Sequence, residues 1–308
     1  TELVPKSKWG LLKIGLVLPF EGQDTARAYA FLHGARIAIG EVNQQGGVRG
    51  RRVELVALDD HNDPATARYQ ALELAVDPLV VAAVGHLTSG SALPALGEYR
   101  RAGLSLLSPA TAEALAGPGF FRLGASDGQI AERAVEYARH LHGGRLSIVA
   151  EHSLAADWAS RGLPVAGEVL TFPARSPDLS ALARRLEASA SPAVLFWGDA
   201  EQASLLLASL RDPKPTLVFL GDGYRLTRLA QTSQVALSYV APFGPVDATS
   251  PLLTDFVAKY QGPVQTMHLA AHAYRATKAV LSTAAETGAT ERVALSQALE
   301  ANLDRTME

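Results

Sequence analysis

VVAAVGHLTSGSALPA, Val80 to Ala95, passes from an unbroken apolar run through a cluster of small and hydroxyl residues into a helical pattern. The apolar run reads as a strand buried on both faces, because a half-exposed strand alternates apolar with polar side chains. Covering both faces takes helices, so this strand belongs to a parallel α/β sheet. In the turn that follows, Ser89 and Ser91 fit a nucleophile's neighbourhood, an anion cradle or a helix cap.

Outward from this stretch the same alternation recurs. KIGLVLPF (Lys13 to Phe20) is another short, continuously apolar strand, and from Thr25 to Val42 the residues Tyr29, Leu32, Ile37 and Ile39 fall at helical spacing. NQQGGVRG (Asn43 to Gly50) is a stop, in which Gly46 and Gly47 supply the positive φ that other residues resist. RRVELVALDD alternates through Val53, Leu55 and Ala57 as a strand does. Asp63-Pro64 opens a helix that runs to about Ala75, with Asp as cap and Pro where a missing N–H costs nothing. A helix from about Ser91 to Ala102 leads to the strand LSLLS. Strand–helix units in succession predict a doubly wound parallel sheet.

The pattern then restarts. RLSIVAEH, EVLTFP, AVLFWGD and TLVFLGD read as strands, separated by helices near Ala156 to Arg161, Leu179 to Ala188 and Ala200 to Leu210. From Pro251 the chain is almost wholly helical. Helices need a sheet to cover, so this tail is expected to return to the first sheet. The expected fold is α/β: two doubly wound lobes, residues 1–122 plus 244–308 and residues 123–243.

Bulk properties narrow the function classes. The chain has 308 residues, beyond the size at which one core usually stops growing, which favours two lobes. Its net charge of -3 is spread without long like-charge runs, so neither nucleic acid nor an anionic membrane is indicated as a partner. No run approaches the roughly 18 apolar residues of a membrane helix. The first ten residues lack a secretory apolar stretch, so the chain reads as cytosolic or as a mature product with its signal removed. With no cysteine there is no disulfide framework and no thiolate chemistry.

Several short motifs carry candidate chemistry. GASDG (Gly124 to Gly128) fits a G-x-S-x-G nucleophile elbow, yet Ser126 followed by Gln129 is also a capping box, and beyond it no strand-end Asp is followed by a later strand-end His. His268 and His272, four apart on a helix, lack the adjacent Glu of a metalloprotease, where Leu269 stands instead, and offer an incomplete metal site. DDHNDP (Asp59 to Pro64) lacks the glycine and distal Glu of a calcium loop, and Asp63 is accounted for as a cap. Neither G-x-G-x-x-G after the first strand nor a phosphate-binding G-x-x-x-x-G-K-[ST] is present, so no cofactor or metal is expected.

GHLTSGS differs because of where it falls. Open parallel sheets bind ligands outside the carboxyl ends of their strands, and this segment is such an end opening a helix. A helix start presents amides and the positive end of its dipole, worth about 0.3–1 kcal/mol toward an anion. Ser89 can add a hydroxyl there, and Gly90 carries no side chain to block approach. The next strand ends in LSPATA, which places the Thr111 hydroxyl and the Ala110 carbonyl at the same edge. Together these read as a cradle for a small carboxylate, with two ordinary helix caps as the plainer alternative.

EVNQQGGVRGRRVELVALDDHNDPATA and VVAAVGHLTSGSALPALGEYRRAGLSLLSPATA resemble the type I periplasmic solute-binding proteins of the leucine/isoleucine/valine-binding group, the receptors of ABC importers. The resemblance spans nearly the whole chain and is strongest from Lys13 to about Leu115. It implies two α/β lobes closing on an amino acid, with Thr88, Ser89 and Thr111 at the carboxylate, the Ala110 carbonyl and Asp222 at the ammonium, and importer membrane subunits as partners. It also implies a periplasmic or extracellular location and no enzymatic activity. Where the group often places aromatic residues, Ala155, Ala200 and Arg27 stand here, which implies a roomier pocket and, if Arg27 faces the ligand rather than solvent, an extra cation. The chain stops at LDRTME, where relatives continue into a further segment. The alternatives to an importer receptor are a ligand-sensing domain of the same fold and a serine hydrolase at Ser126.

Overall fold

The computed structural model describes residues 10–142, 145–152, 167–173, 176–198, 200–211, 215–220, 237–240, 251–262 and 266–303. By its internal contacts the chain divides into two compact units, Thr1–Ala125 with Phe243–Glu308, and Ser126–Pro242. In chain order the first unit begins with β1 (Leu11–Leu18), α1 (Thr25–Gln44), β2 (Arg52–Asp59), α2 (Pro64–Val76), β3 (Val80–Gly85), α3 (Ser89–Arg101), β4 (Ser105–Ser108) and β5 (Phe120–Arg122). The second unit contains α4 (Asp127–His142), β6 (Ser147–Glu151), β7 (Val169–Phe172), α5 (Ser180–Ser189), β8 (Ala193–Trp197), α6 (Ala200–Ser209), β9 (Thr216–Leu220) and β10 (Leu237–Val240). Helices α7 (Pro251–Lys259), α8 (Met267–Thr287) and α9 (Arg292–Asn302) follow and belong to the first unit.

Both sheets are parallel throughout and share one order. The first runs β2-β1-β3-β4-β5, and the second β7-β6-β8-β9-β10. Every residue of β3 is buried, as its unbroken apolar sequence requires. On one face, Leu12, Ile14, Leu16 and Leu18 of β1 and Val84 of β3 pack with Phe31 of α1, Leu269 and Val280 of α8, and Leu295 of α9. On the other, Val17, Val80 and Ala83 meet Leu74 of α2 and Ala92 and Tyr99 of α3. Each large side chain so buried contributes roughly 1.5–3 kcal/mol. In the second unit, Phe172, Phe196 and Phe219 form a stacked row, with centroids 5.7 and 6.0 Å apart.

Local chemistry explains the element ends. Asp63 caps α2 by accepting the amide of Thr66 at 2.7 Å, with Pro64 behind it. Gly46 and Gly47 take φ of 97° and 77° in the stop after α1. α3 starts at Ser89, two residues before the helical pattern indicated, because Thr88 is its cap. β1 begins at Leu11 and ends at Leu18, before Pro19, which has no N–H to give to a neighbouring strand. β10, a four-residue edge strand, carries too short a signal to be read from sequence. The helix expected near residues 156–161 lies outside the described residues.

Candidate functional site

In the first sheet β1 lies between β2 and β3, so the connections from β1 and β3 leave in opposite directions. The crevice outside their carboxyl ends is where this strand order accepts ligands. Three turns meet that edge: residues 19–24 after β1, 86–88 after β3 and 109–112 after β4. β3 ends in Gly85 at φ 117°, where a Cβ would stand 2.4 Å from the carbonyl oxygen of Val17. Only glycine lets the chain turn so close to β1.

Ser89 is the first residue of α3, and its Oγ accepts two amides from the β4 turn: Thr111 at 3.2 Å and Ala112 at 3.0 Å. Both lone pairs are thereby used, which leaves the O–H as a donor with no recipient among the described residues. The Thr111 hydroxyl is likewise without a partner among them, and so are the first-turn amides of Ser89 and Gly90. A Cβ on Gly90 would meet only Thr88 Oγ1, at 3.9 Å. Four donors therefore gather at one strand edge, at the positive end of a helix. Oxygen-rich anions suit that arrangement.

Thr88 has a different task. Its Oγ1 donates to Oδ1 of Asn62 at 2.6 Å and accepts the amide of Ser91 at 3.4 Å. Its proton is committed, so it acts as the cap of α3 and the support of the turn. Beneath it lies a polar cluster that sequence reading missed. Asp60 Oδ2 is 2.8 Å from Nδ1 of His86, whose Nε2 is 3.1 Å from the Tyr99 hydroxyl, all three fully buried. Burial, then the charge of Asp60, pushes the Tyr99 phenol well up, so it stays protonated. The one available signal was a His and an Asp beside strands that should otherwise be apolar.

The remaining candidates separate clearly. Arg27 lies in the first turn of α1, its side chain 15% exposed, and pairs with Asp24 at 2.9 Å. It is thus neither on the solvent face nor a lone cation. The Ala110 carbonyl accepts Nη1 of Arg122 at 2.7 Å, and Ala112 accepts Nη2 at 3.1 Å, with Phe120 under the guanidinium. Arg122 escaped the sequence reading, although a cation ending the apolar strand FFR was a signal. Asp222 and Ala155 lie outside the described residues, and Ala200 is the first residue of α6.

The competing chemistries meet plain structural roles. The Ser126 amide donates to Gln129 Oε1 at 2.8 Å, and the Gln129 amide donates to Ser126 Oγ at 3.3 Å, a complete capping box. His272 is buried, not half-exposed, and among the described residues neither it nor His268 joins a third metal-ligating group. Asp59 accepts the amides of Phe20 and His61, and Asp63 caps α2.

A doubly wound unit with converging donors at its switch point defines a binding protein of the α/β class. The chain belongs to the periplasmic binding protein family, whose sequence model matches residues 12–304. The Leu/Ile/Val-binding protein homolog 1 of Brucella melitensis is 27% identical over 271 residues, covering 83% of this chain and 72% of that protein. An amino acid binding protein of Pseudomonas aeruginosa is 27% identical over 242 residues, 74% of this chain and 64% of its own. Among solved structures, LivJ from Streptococcus pneumoniae in complex with isoleucine superposes with a TM-score of 0.77 at 23% identity, covering 94% of this chain and 87% of that one. The leucine binding protein LivK from Thermotoga maritima gives 0.78 at 22% identity, with the same coverage. The fold is that of the type I periplasmic binding proteins, and the relatives are named for binding solutes. No helix among the described residues is long and apolar enough to cross a membrane.

Proposed function

We propose that this protein is the substrate-binding component of an ABC importer, acting outside the cytoplasmic membrane and capturing a small carboxylate, an amino acid with a branched-chain or larger side chain, by lobe closure. The observation that carries this reading is Ser89, whose oxygen is filled by two amides so that its hydrogen is left to donate to a carboxylate. Thr111 and the Ser89 and Gly90 amides supply the other donors, and Asp222 pairs with the ammonium. A buried ammonium needs such a partner, since an unpaired buried charge costs several kcal/mol. Asp24 offsets the charge of Arg27, which favours a neutral side chain, branched-chain or larger, over an acidic one. The names of the relatives support the same class.

Thermal-shift screening of leucine, isoleucine, valine, phenylalanine, glutamate and their desamino acids tests this. A ligand at 100 times its Kd should stabilise the fold by about 2.7 kcal/mol. Asp222→Ala should then abolish amino-acid binding yet spare the desamino acid. No shift with any of these compounds overturns the proposal.

A further inference from the structure

The polar cluster beneath the α3 turn touches no ligand position itself, yet it decides where the donors stand. Asp60 works in two directions, with Oδ2 at Nδ1 of His86 (2.8 Å) and Oδ1 accepting the amide of Asn62 (2.9 Å). Asn62 Oδ1 in turn accepts the hydroxyls of Thr88 at 2.6 Å and Ser91 at 3.3 Å. His86 and Thr88 are two residues apart, so these contacts close into a ring through the β3–α3 turn. Tyr99, farther along α3, holds the second nitrogen of His86, and the imidazole cannot rotate without breaking a bond. Ser108 Oγ donates to the His86 carbonyl at 2.9 Å and accepts the Ala110 amide at 3.1 Å. The ring is thereby tied to the β4 turn that bears Thr111. Asn62 sits at φ 54°, a left-handed conformation that asparagine and glycine tolerate.

We propose that Asp60, Asn62, His86 and Tyr99 are positioning residues that hold the Ser89 hydroxyl and the first-turn amides of α3 ready for a carboxylate before it arrives. Donors fixed in advance lose little freedom on binding, and their supports tune affinity without touching the ligand. This inference rests on the carboxylate reading above.

The test uses Asn62→Gly and Tyr99→Phe. Asn62 is exposed and its φ suits glycine, so this variant keeps the backbone and removes only the acceptor of Thr88 and Ser91. Tyr99→Phe removes one hydroxyl. The probes are whichever of leucine, isoleucine, valine and phenylalanine binds the wild type most tightly, and its carboxamide. The preference for acid over carboxamide should fall about tenfold in both variants, the size of effect expected when a hydrogen bond to a charged group is weakened. A merely structural role would weaken acid and carboxamide in equal proportion, and that outcome, or an unchanged preference, overturns the inference alone. A wild type that binds none of the four acids overturns the carboxylate reading, and the inference with it.

Discussion

The Oγ of Ser89 accepts the amide of Ala112 at 3.0 Å, joining the start of α3 to the turn after β4 across 23 residues of sequence. With the Thr111 amide as second donor, both lone pairs are used and the hydroxyl hydrogen has no recipient among the described residues. One side chain thus braces two strand ends and offers a donor at their edge.

Ser89→Ala should therefore act twice. Losing a hydrogen bond to a charged ligand is expected to weaken binding about tenfold to a hundredfold, and two amides lose their acceptor, at about 1–3 kcal/mol of stability. Calorimetric titration and urea unfolding check the two effects separately. Unchanged affinity would remove Ser89 from the site.

Ser126→Ala bears on the hydrolase alternative. It should cost about 0.5–2 kcal/mol through the lost cap and leave ligand affinity untouched. An esterase activity abolished by this change would contradict that expectation.

Arg292 donates to the carbonyls of Ala75 and Val80 at 2.8 Å, to Leu74 at 3.3 Å and to Asp77, closing the end of α2. A lysine cannot reach four acceptors with one nitrogen. Arg292→Lys is expected to lose about 2 kcal/mol, read as a lower denaturation midpoint at unchanged slope.

Gly34 stands where α1 crosses α8, and a Cβ there would be 1.9 Å from the carbonyl oxygen of Ala270. Gly34→Ala should destabilise by about 1–3 kcal/mol, since the two helices must separate. A variant as stable as the wild type would mean that the crossing yields freely.

His272 carries a pH signature. Burial above all, then Arg275 and His268, pushes its pKa from the ordinary 6.5 down to about 3. Below pH 6.5 the unfolded chain binds a proton that the folded imidazole refuses, so stability is full above 6.5 and falls as pH drops toward 3. The slope contributed is at most about 1.4 kcal/mol per pH unit. In His272→Phe this part of the pH dependence should disappear from thermal unfolding measured between pH 6.5 and 4.

Features encoded within a few residues were legible. The Asp63 cap and the Ser126–Gln129 box each lie within one turn, and the buried strand Val80–Gly85 announces itself by composition. Local chemistry was only partly legible where two roles compete. Thr88, expected at the carboxylate, also caps α3 and donates its hydroxyl to Asn62, and Arg27 has a partner in Asp24 three residues before it. The Asp60–His86 and His86–Tyr99 contacts, 26 and 13 residues apart, left only the presence of a His and an Asp beside apolar strands as a signal.

The sequence by itself determined the alternation of strands and helices, the caps and the turn glycines, because those depend on neighbours along the chain. It also placed Ser89 and Thr111 at strand ends. Only the tertiary structure decided which hydroxyl keeps a proton to give. That follows from strand order and register, which bring the amides of Thr111 and Ala112 onto Ser89 and the side chain of Asn62 onto Thr88. A hydroxyl's role is set by its hydrogen-bond partners, and those come from the turns that follow other strands.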